Sequence, residues 1–291
     1  MGFIKKVFET LFSIIFSLLI LFAIVAGVIY GISNIENKKL NISSNNAIGV
    51  IKLTGIIRDS SDIIKDLKDF ADNKKIKAII LKINSPGGAV VPSQEIYREI
   101  LKLRKKKKIY AYIQSLGASG AYYVASATDK IFANPGSIIG SIGVIIEFTN
   151  IKELLNKIGV KGITIKSGKF KDVGNPTREM TDEEKAYLKN LIMNVYNQFL
   201  KDVSLTRKIP LEKLRKIADG RVFTGEEGVK IGLVDRLGNF DDVIDFIKQK
   251  LGIKEKPEIV YPEKRKPLYK QLVEGISNYI SSISEMKIYY K

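Results

Sequence analysis

Two hydrophobic patterns divide the chain. From Leu11 to Tyr30 no charged residue interrupts a run of Leu, Ile, Phe, Val and Ala. At 1.5 Å per residue, about twenty such positions cross a hydrocarbon layer of about 30 Å. A cleaved leader would carry a shorter apolar stretch followed by an Ala-x-Ala site, and neither is present. The pattern therefore predicts an uncleaved signal anchor over 11–30, with a short tail, 1–10, before it. A polar linker, 31–46, comes next.

Beyond the linker, short apolar runs alternate with stretches of helical period. Ala47–Leu53, Ile76–Ile83, Ile109–Gln114, Lys130–Ala133 and Ile163–Lys166 read as strands. Between them, Ser61–Ala71 carries Ile63, Ile64, Leu67, Phe70 and Ala71 at helical spacing, with Ser60 or Ser61 available as a cap. Val91–Leu103, Ser119–Ala127 and Ile151–Ile158 are the other intervening helices. Thr181-x-x-Glu184 is a capping box that opens a long helix with Leu188, Ile192, Val195 and Phe199 on one face. Strands separated by crossover helices predict an α/β fold, with a mostly parallel sheet and functional loops at the carboxyl ends of its strands. A domain over 47–250 is expected, followed by an extension, 251–291. There Leu268, Leu272, Ile276, Ile280 and Ile283 form a helical stripe suited to packing or assembly.

Composition narrows the chemistry. The 291 residues include no His and no Cys, which excludes Ser-His-Asp and Cys-His catalysis, thiolate metal sites and disulfides. The net charge of +17 comes from 39 Lys and 9 Arg scattered among acidic residues. Scattered Lys without Arg clusters is a poor nucleic-acid signature, and no nucleic-acid partner is expected. The run Lys105–Lys108 reads as a solvated loop.

Two glycine-rich turns follow neighbouring strands. In Asn84-Ser-Pro-Gly-Gly88, paired glycines let backbone approach a ligand, and N–H groups at a helix start favour developing negative charge. In Gly117-Ala-Ser-Gly120, Ser119 stands near a helix start, where a serine is ordinarily a cap. The second glycine follows the serine directly, so this is not the Gly-x-Ser-x-Gly elbow of α/β-hydrolases. A reactive Ser119 requires a base, and without histidine that base is a lysine or a carboxylate.

These turns, with Thr128-Asp-Lys-Ile-Phe-Ala133, Gly140-Ser-Ile-Gly-Val144, Ile165-Lys-Ser-Gly168, Lys171-Asp172, Asp219-Gly-Arg-Val-Phe-Thr-Gly225 and Gly232-Leu-Val-Asp-Arg-Leu-Gly238, resemble signal peptide peptidase A of the short, single-domain type. The resemblance covers about residues 47–250. It implies a ClpP/crotonase-like fold and a membrane-anchored serine endopeptidase with a Ser-Lys dyad, degrading signal peptides and other short hydrophobic peptides without any cofactor or metal. By position, Ser119 resembles the nucleophile and Lys171 the general base, with Lys166 and Lys169 as competitors in the same segment. The N–H groups of Gly88 and Gly120 would form the oxyanion hole, with Gly87 the alternative to Gly88. Ser141 matches a serine that positions the lysine, though a turn hydroxyl explains it equally on sequence alone. A ring-like homo-oligomer is implied, in which Ser119 and Lys171 come from one protomer or from two.

Lys5 and Lys6 before the anchor nearly balance Lys38 and Lys39 after it. The extracytoplasmic placement of the catalytic domain, on a single-pass anchor in the cell membrane, therefore rests partly on the resemblance. Ala121 and Ser115-Leu116 depart from the family pattern near the turn. A stomatin-specific type of Ser-Lys membrane protease and a catalytically dead scaffold of the same fold are the alternative readings. A CoA-thioester enzyme of the crotonase group would share the Gly-Gly turn but have no use for Ser119.

Overall fold

The computed structural model describes residues 2–36 and 42–263. Helix α1 (Gly2–Glu36) forms one unit and continues through the first six positions of the expected linker. Its segment Glu9–Gly27, with mean hydropathy 2.6, is long and apolar enough to cross a membrane by length and composition. The apolar stripe expected from Leu268 to Ile283 lies outside the described residues.

A second compact unit runs from Ile42 to Pro262. Its elements in order are β1 (Ala47–Thr54), α2 (Ser61–Asp72), β2 (Ile76–Ser85), α3 (Val90–Leu103), β3 (Lys108–Ala118), α4 (Gly120–Ser126), β4 (Lys130–Ala133), β5 (Ile138–Gly140), α5 (Lys152–Lys157), α6 (Asp182–Arg207), α7 (Leu211–Arg215), β6 (Val222–Thr224), α8 (Gly225–Ile231), β7 (Arg236–Leu237), α9 (Phe240–Leu251) and β8 (Glu258–Val260). The strands form one sheet in the order β6-β5-β3-β2-β1-β8, with β4 and β7 branching from β3. All pairings are parallel except β5 with β6. This is the mixed, mostly parallel sheet that the alternation of strands and helices predicts.

The period of two along β1, β2 and β3 sends alternate residues to one face. There Ile48, Val50, Ala78, Ile80, Tyr110 and Tyr112 pack with Phe132 of β4 against Val243, Phe246 and Ile247 of α9. The α2 cap differs from the sequence expectation: the Ser60 side chain makes no capping bond, and the Asp59 carboxylate accepts from the Ser61 N–H at 2.8 Å. The capping box of α6 forms as expected, with the Thr181 hydroxyl accepting from the Glu184 N–H at 3.2 Å.

Strand β3 builds the site. Its first part, Tyr110–Ile113, pairs with β4, and its last three residues, Leu116–Ala118, pair with β5. Ser119 follows at once and is the N-cap residue of α4. Every residue from Ala121 to Ser126 is buried. Tyr122 donates to the Leu233 carbonyl at 2.9 Å. Tyr123 stacks on Tyr97, with ring centroids 4.5 Å apart, and meets Phe199 edge-on. Burial pushes the Tyr123 phenol far above its ordinary range, assisted by its hydrogen bond to the Asp202 carboxylate. A neutral, locked Tyr123 ties α4 to α6.

One expected strand is absent. Residues 163–166 have no strand partner, and Ile163 and Ile165 are 87% and 97% exposed. The run has strand-like composition, but among the described residues no sheet edge meets it.

Candidate active site

Ser119 holds φ 53° and ψ −125°, a conformation few non-glycine residues adopt. Among the described residues only Ser119, Ser141 and Lys208 combine a side chain with positive φ. Lys208 is the left-handed cap that ends α6, so the two remaining cases are the two serines singled out by sequence. Such backbone costs on the order of 1–3 kcal/mol and persists where surrounding structure enforces it. Here the Ser119 N–H donates to the Gly140 carbonyl at 2.8 Å, and the Ser119 carbonyl accepts from Tyr123 N–H at 2.9 Å.

Despite its N-cap position, Ser119 makes no side-chain capping bond. The ordinary explanation for a serine at this place is thereby removed. The half-buried hydroxyl has no hydrogen-bond partner among the described residues and remains available for chemistry.

The Gly-Gly turn lies directly against this serine. A β-carbon at Gly87 would come within 2.6 Å of Gly120 N and 2.9 Å of Ser119 Cβ, and one at Gly120 within 3.3 Å of Gly88 N. Gly88 forms an isolated bridge with Ile57. That bridge uses the Gly87 carbonyl, accepting from Ile57 N at 2.9 Å, and the Ala89 N–H, donating to Ile57 O at 2.8 Å. The Gly88 N–H is left out of it. The Gly120 N–H, in the first turn of α4, has no intrahelical acceptor. Two unused amides and one unused hydroxyl therefore converge, a set suited to holding an oxyanion beside a nucleophile.

Ser141 joins the site through β5. Its N–H donates to the Arg221 carbonyl at 2.8 Å, and the preceding carbonyl, Gly140, receives the Ser119 amide. Arg221 is held by a two-pronged pair with Asp219, Nε to Oδ1 at 2.8 Å and a terminal nitrogen to Oδ2 at 2.6 Å. That pairing holds the Asp219 carboxyl down at about 2. The Ser141 hydroxyl, like that of Ser119, has no partner among the described residues.

The lysines divide clearly. Lys166 Nζ pairs with Asp172 Oδ1 at 2.5 Å, and Lys169 pairs with Glu183. Both of these nitrogens are already engaged by carboxylates within the loop and helix α6. Lys171 is exposed, and its side chain has no ion pair or hydrogen bond among the described residues and does not touch Ser119 within one copy of the chain. Lys107 is pushed down to about 8 by burial, but it caps the Phe70 and Asn73 carbonyls. It stands at the opposite end of the 11-residue strand β3 from Ser119, roughly 40 Å away at about 3.3 Å per residue.

Sequence reading did not find Ser93, whose Oγ donates to Ala89 O at 2.8 Å and would lie 2.5 Å from a β-carbon at Gly120. It also missed the Arg178 contacts beside Lys171. Neither carries a sequence signal beyond an ordinary helix serine and a loop arginine.

Comparison with known proteins agrees with this geometry. The Clp protease pattern matches residues 43–139, and the peptidase family S49 pattern matches residues 101–254. A candidate protease of Synechocystis is 40% identical over 238 residues, covering 81% of this chain and 86% of the relative. A candidate signal peptide peptidase SppA of Enterococcus faecium is 32% identical over 249 residues, covering 80% and 72%. Protease 4 of Salmonella typhi is 31% identical over 216 residues, which span 71% of this chain but only 35% of that longer relative. With its serine-centred turn seated on a ClpP-like sheet, the chain belongs to peptidase family S49.

Proposed function

We propose that the chain is a membrane-anchored serine endopeptidase in which Ser119 is the nucleophile and Lys171 the general base. The carrying observation is the strained, uncapped Ser119 set against the unused amides of Gly88 and Gly120. Lys171 Nζ, as a neutral amine, takes the Ser119 hydroxyl proton while Oγ attacks the scissile carbonyl carbon. The negative charge gathers on the carbonyl oxygen and is held by the Gly88 and Gly120 N–H groups, an arrangement worth about 10²–10³ in rate per donor. The ammonium then gives its proton to the leaving amine. Water attacks the ester, passing a proton to Lys171, and Oγ recovers a proton from it. Ser141, one residue beyond the carbonyl that holds the Ser119 amide, orients the lysine.

A lysine serves as base only where water is displaced from it. In one copy Lys171 is exposed, and so are Ile145, Ile163 and Ile165 in the same 141–180 segment. Cover by a second copy in a homo-oligomeric ring, and by the bound peptide, would supply the apolar surroundings. Exposed Val90 and Val91 just past the Gly-Gly turn, and Ile56 just before Gly88's bridge partner Ile57, favour an extended peptide with apolar side chains. Signal peptides fit that description, and the apolar length of α1 would hold the enzyme beside them at the cell membrane, with its catalytic unit on the extracytoplasmic side.

The test is hydrolysis of a fluorogenic apolar peptide by the full chain in detergent. Ser119→Ala and Lys171→Ala should each abolish turnover, whereas Lys166→Ala and Lys169→Ala should retain it. Retained turnover in Ser119→Ala or Lys171→Ala would overturn the dyad.

A further inference from the structure

Lys171 stands out in its turn because its neighbours are fastened and it is not. Phe170 stacks on Tyr187 of α6 with centroids 5.0 Å apart. Lys169 pairs with Glu183, also on α6. On the other side, Asp172 is gripped by Arg178. Arg178 Nε donates to Asp172 Oδ2 at 2.8 Å, and one terminal nitrogen donates to the Asp172 carbonyl at 3.1 Å. The same guanidinium reaches Glu184 Oε1 at 2.5 Å and Oε2 at 2.9 Å, and the Glu179 carbonyl at 2.9 Å. A guanidinium has five N–H donors, and these contacts engage all five.

Glu184 is 3% exposed, and its Oε2 also accepts from the Thr181 N–H at 2.9 Å. It is therefore a fixed post at the start of a 26-residue helix. Lys166 Nζ closes the turn from the far side, donating to Asp172 Oδ1 at 2.5 Å and the Lys169 carbonyl at 3.0 Å. Charge within the turn is matched: Lys166 and Arg178 on Asp172, Arg178 on Glu184, Lys169 on Glu183.

We infer that Arg178 is the positioning residue for the base, locking the Asp172 end of the Lys171 turn onto the Glu184 post so that Lys171 alone is free to reach into a reaction centre. The inference rests on Lys171 being the base. The Asp172 and Glu184 carboxylates are largely buried and Arg178 is only partly exposed, so the cluster stabilises the loop as well as ordering it. A base gains much from that order, because misplacement by about 1 Å costs about 10²-fold in rate.

The test compares Arg178→Ala and Arg178→Lys with Lys171→Ala and with Arg207→Ala. Arg207 is another anchored arginine, paired with Asp235 at 2.8 Å. It lies outside this turn and serves as the control for general loosening. All are assayed as full chains in detergent for kcat, KM, pH dependence and melting temperature. Arg178→Ala should lose roughly 10- to 100-fold in kcat with KM within about twofold. Its rising limb of activity should move to higher pH, because the variant removes a positive charge from the turn that carries the proposed base, and protonating that base then meets less repulsion. Arg178→Lys keeps the charge but not the fork that spans both carboxylates, so it should recover the pH limb more fully than kcat; it also provides the reading if Arg178→Ala does not fold.

An unshifted pH limb, or a kcat loss no larger than in an Arg207→Ala variant of equal melting temperature, overturns the inference while an inactive Lys171→Ala leaves the dyad standing. An active Lys171→Ala removes the dyad itself, and the inference with it.

Discussion

Gly120→Ala puts the oxyanion hole to a steric test. The added β-carbon would sit 2.5 Å from Ser93 Oγ, 3.3 Å from Ser93 Cβ and 3.3 Å from Gly88 N, where ordinary contact begins at 3.4 Å. Something must retreat by about 0.9 Å, and Ser93 is buried and bonded to the Ala89 carbonyl just beyond Gly88. The retreat therefore falls on the Gly88–Ala89 backbone or on Gly120 itself, the proposed donors. Displacement of about 1 Å costs about 10²-fold in rate, close to 2.8 kcal/mol at about 1.4 kcal/mol per tenfold. The assay is kcat/KM on a fluorogenic peptide, with circular dichroism to confirm folding. Removing the obstructing oxygen should release the strain, so Ser93→Ala/Gly120→Ala should regain about tenfold over Gly120→Ala. Activity of Gly120→Ala within threefold of the parent, or a double variant no better than the single, would refute the reasoning.

Three further outcomes follow from the same geometry. Ser119→Gly should abolish activity yet raise the melting temperature by about 2–4 °C. Relief of roughly 1–3 kcal/mol of backbone strain exceeds glycine's entropic cost of about 0.5–1 kcal/mol, leaving about 1 kcal/mol; a lower melting temperature contradicts this. Ser141→Ala should lower kcat roughly 10- to 100-fold, the loss of one hydrogen bond to a charged group, with an unchanged melting curve because its hydroxyl has no partner among the described residues; unchanged kcat would remove its role. Hydrogen bonds from Arg178, then the Thr181 amide, hold Glu184 down at about 2, against an ordinary 4.5. A carboxyl depressed on folding stabilises fully above its unfolded value, and that contribution disappears as pH falls through the folded one. The melting-temperature gap between the parent and Glu184→Gln should therefore be constant above about pH 4.5 and close toward pH 2, as followed by thermal melts across that range.

How much could be read in advance depended on how far each feature extends along the chain. The long strands and helices carry several turns of their period, so β1, β2, β3, α3 and α6 were legible within a residue or a few. Strands of two or three residues, such as β5 to β8, carry no period. Three of them become strands only because β1, β3 or β4 offers an edge. The reverse failure at 163–166 has the same cause, a strand-like run without an edge. Ser119 and the two glycine turns were visible because their chemistry is local. The conformation that sets Ser119 apart from a cap was not visible, since the Gly140 carbonyl that holds its amide is brought there by β5, twenty-one residues further on. Glu184 was legible as the end of a capping box, but its second task, holding Arg178, depends on a fold that brings the loop back to α6.

Reaction with a fluorophosphonate, read by peptide mass mapping, tests the serine chemistry most directly, because phosphonylation requires the nucleophile, its base and the oxyanion donors but no particular peptide. A single adduct should form on Ser119, be absent from Ser119→Ala and form at least roughly a hundredfold more slowly in Lys171→Ala. An adduct on another residue, or equal labelling of Lys171→Ala, would contradict it.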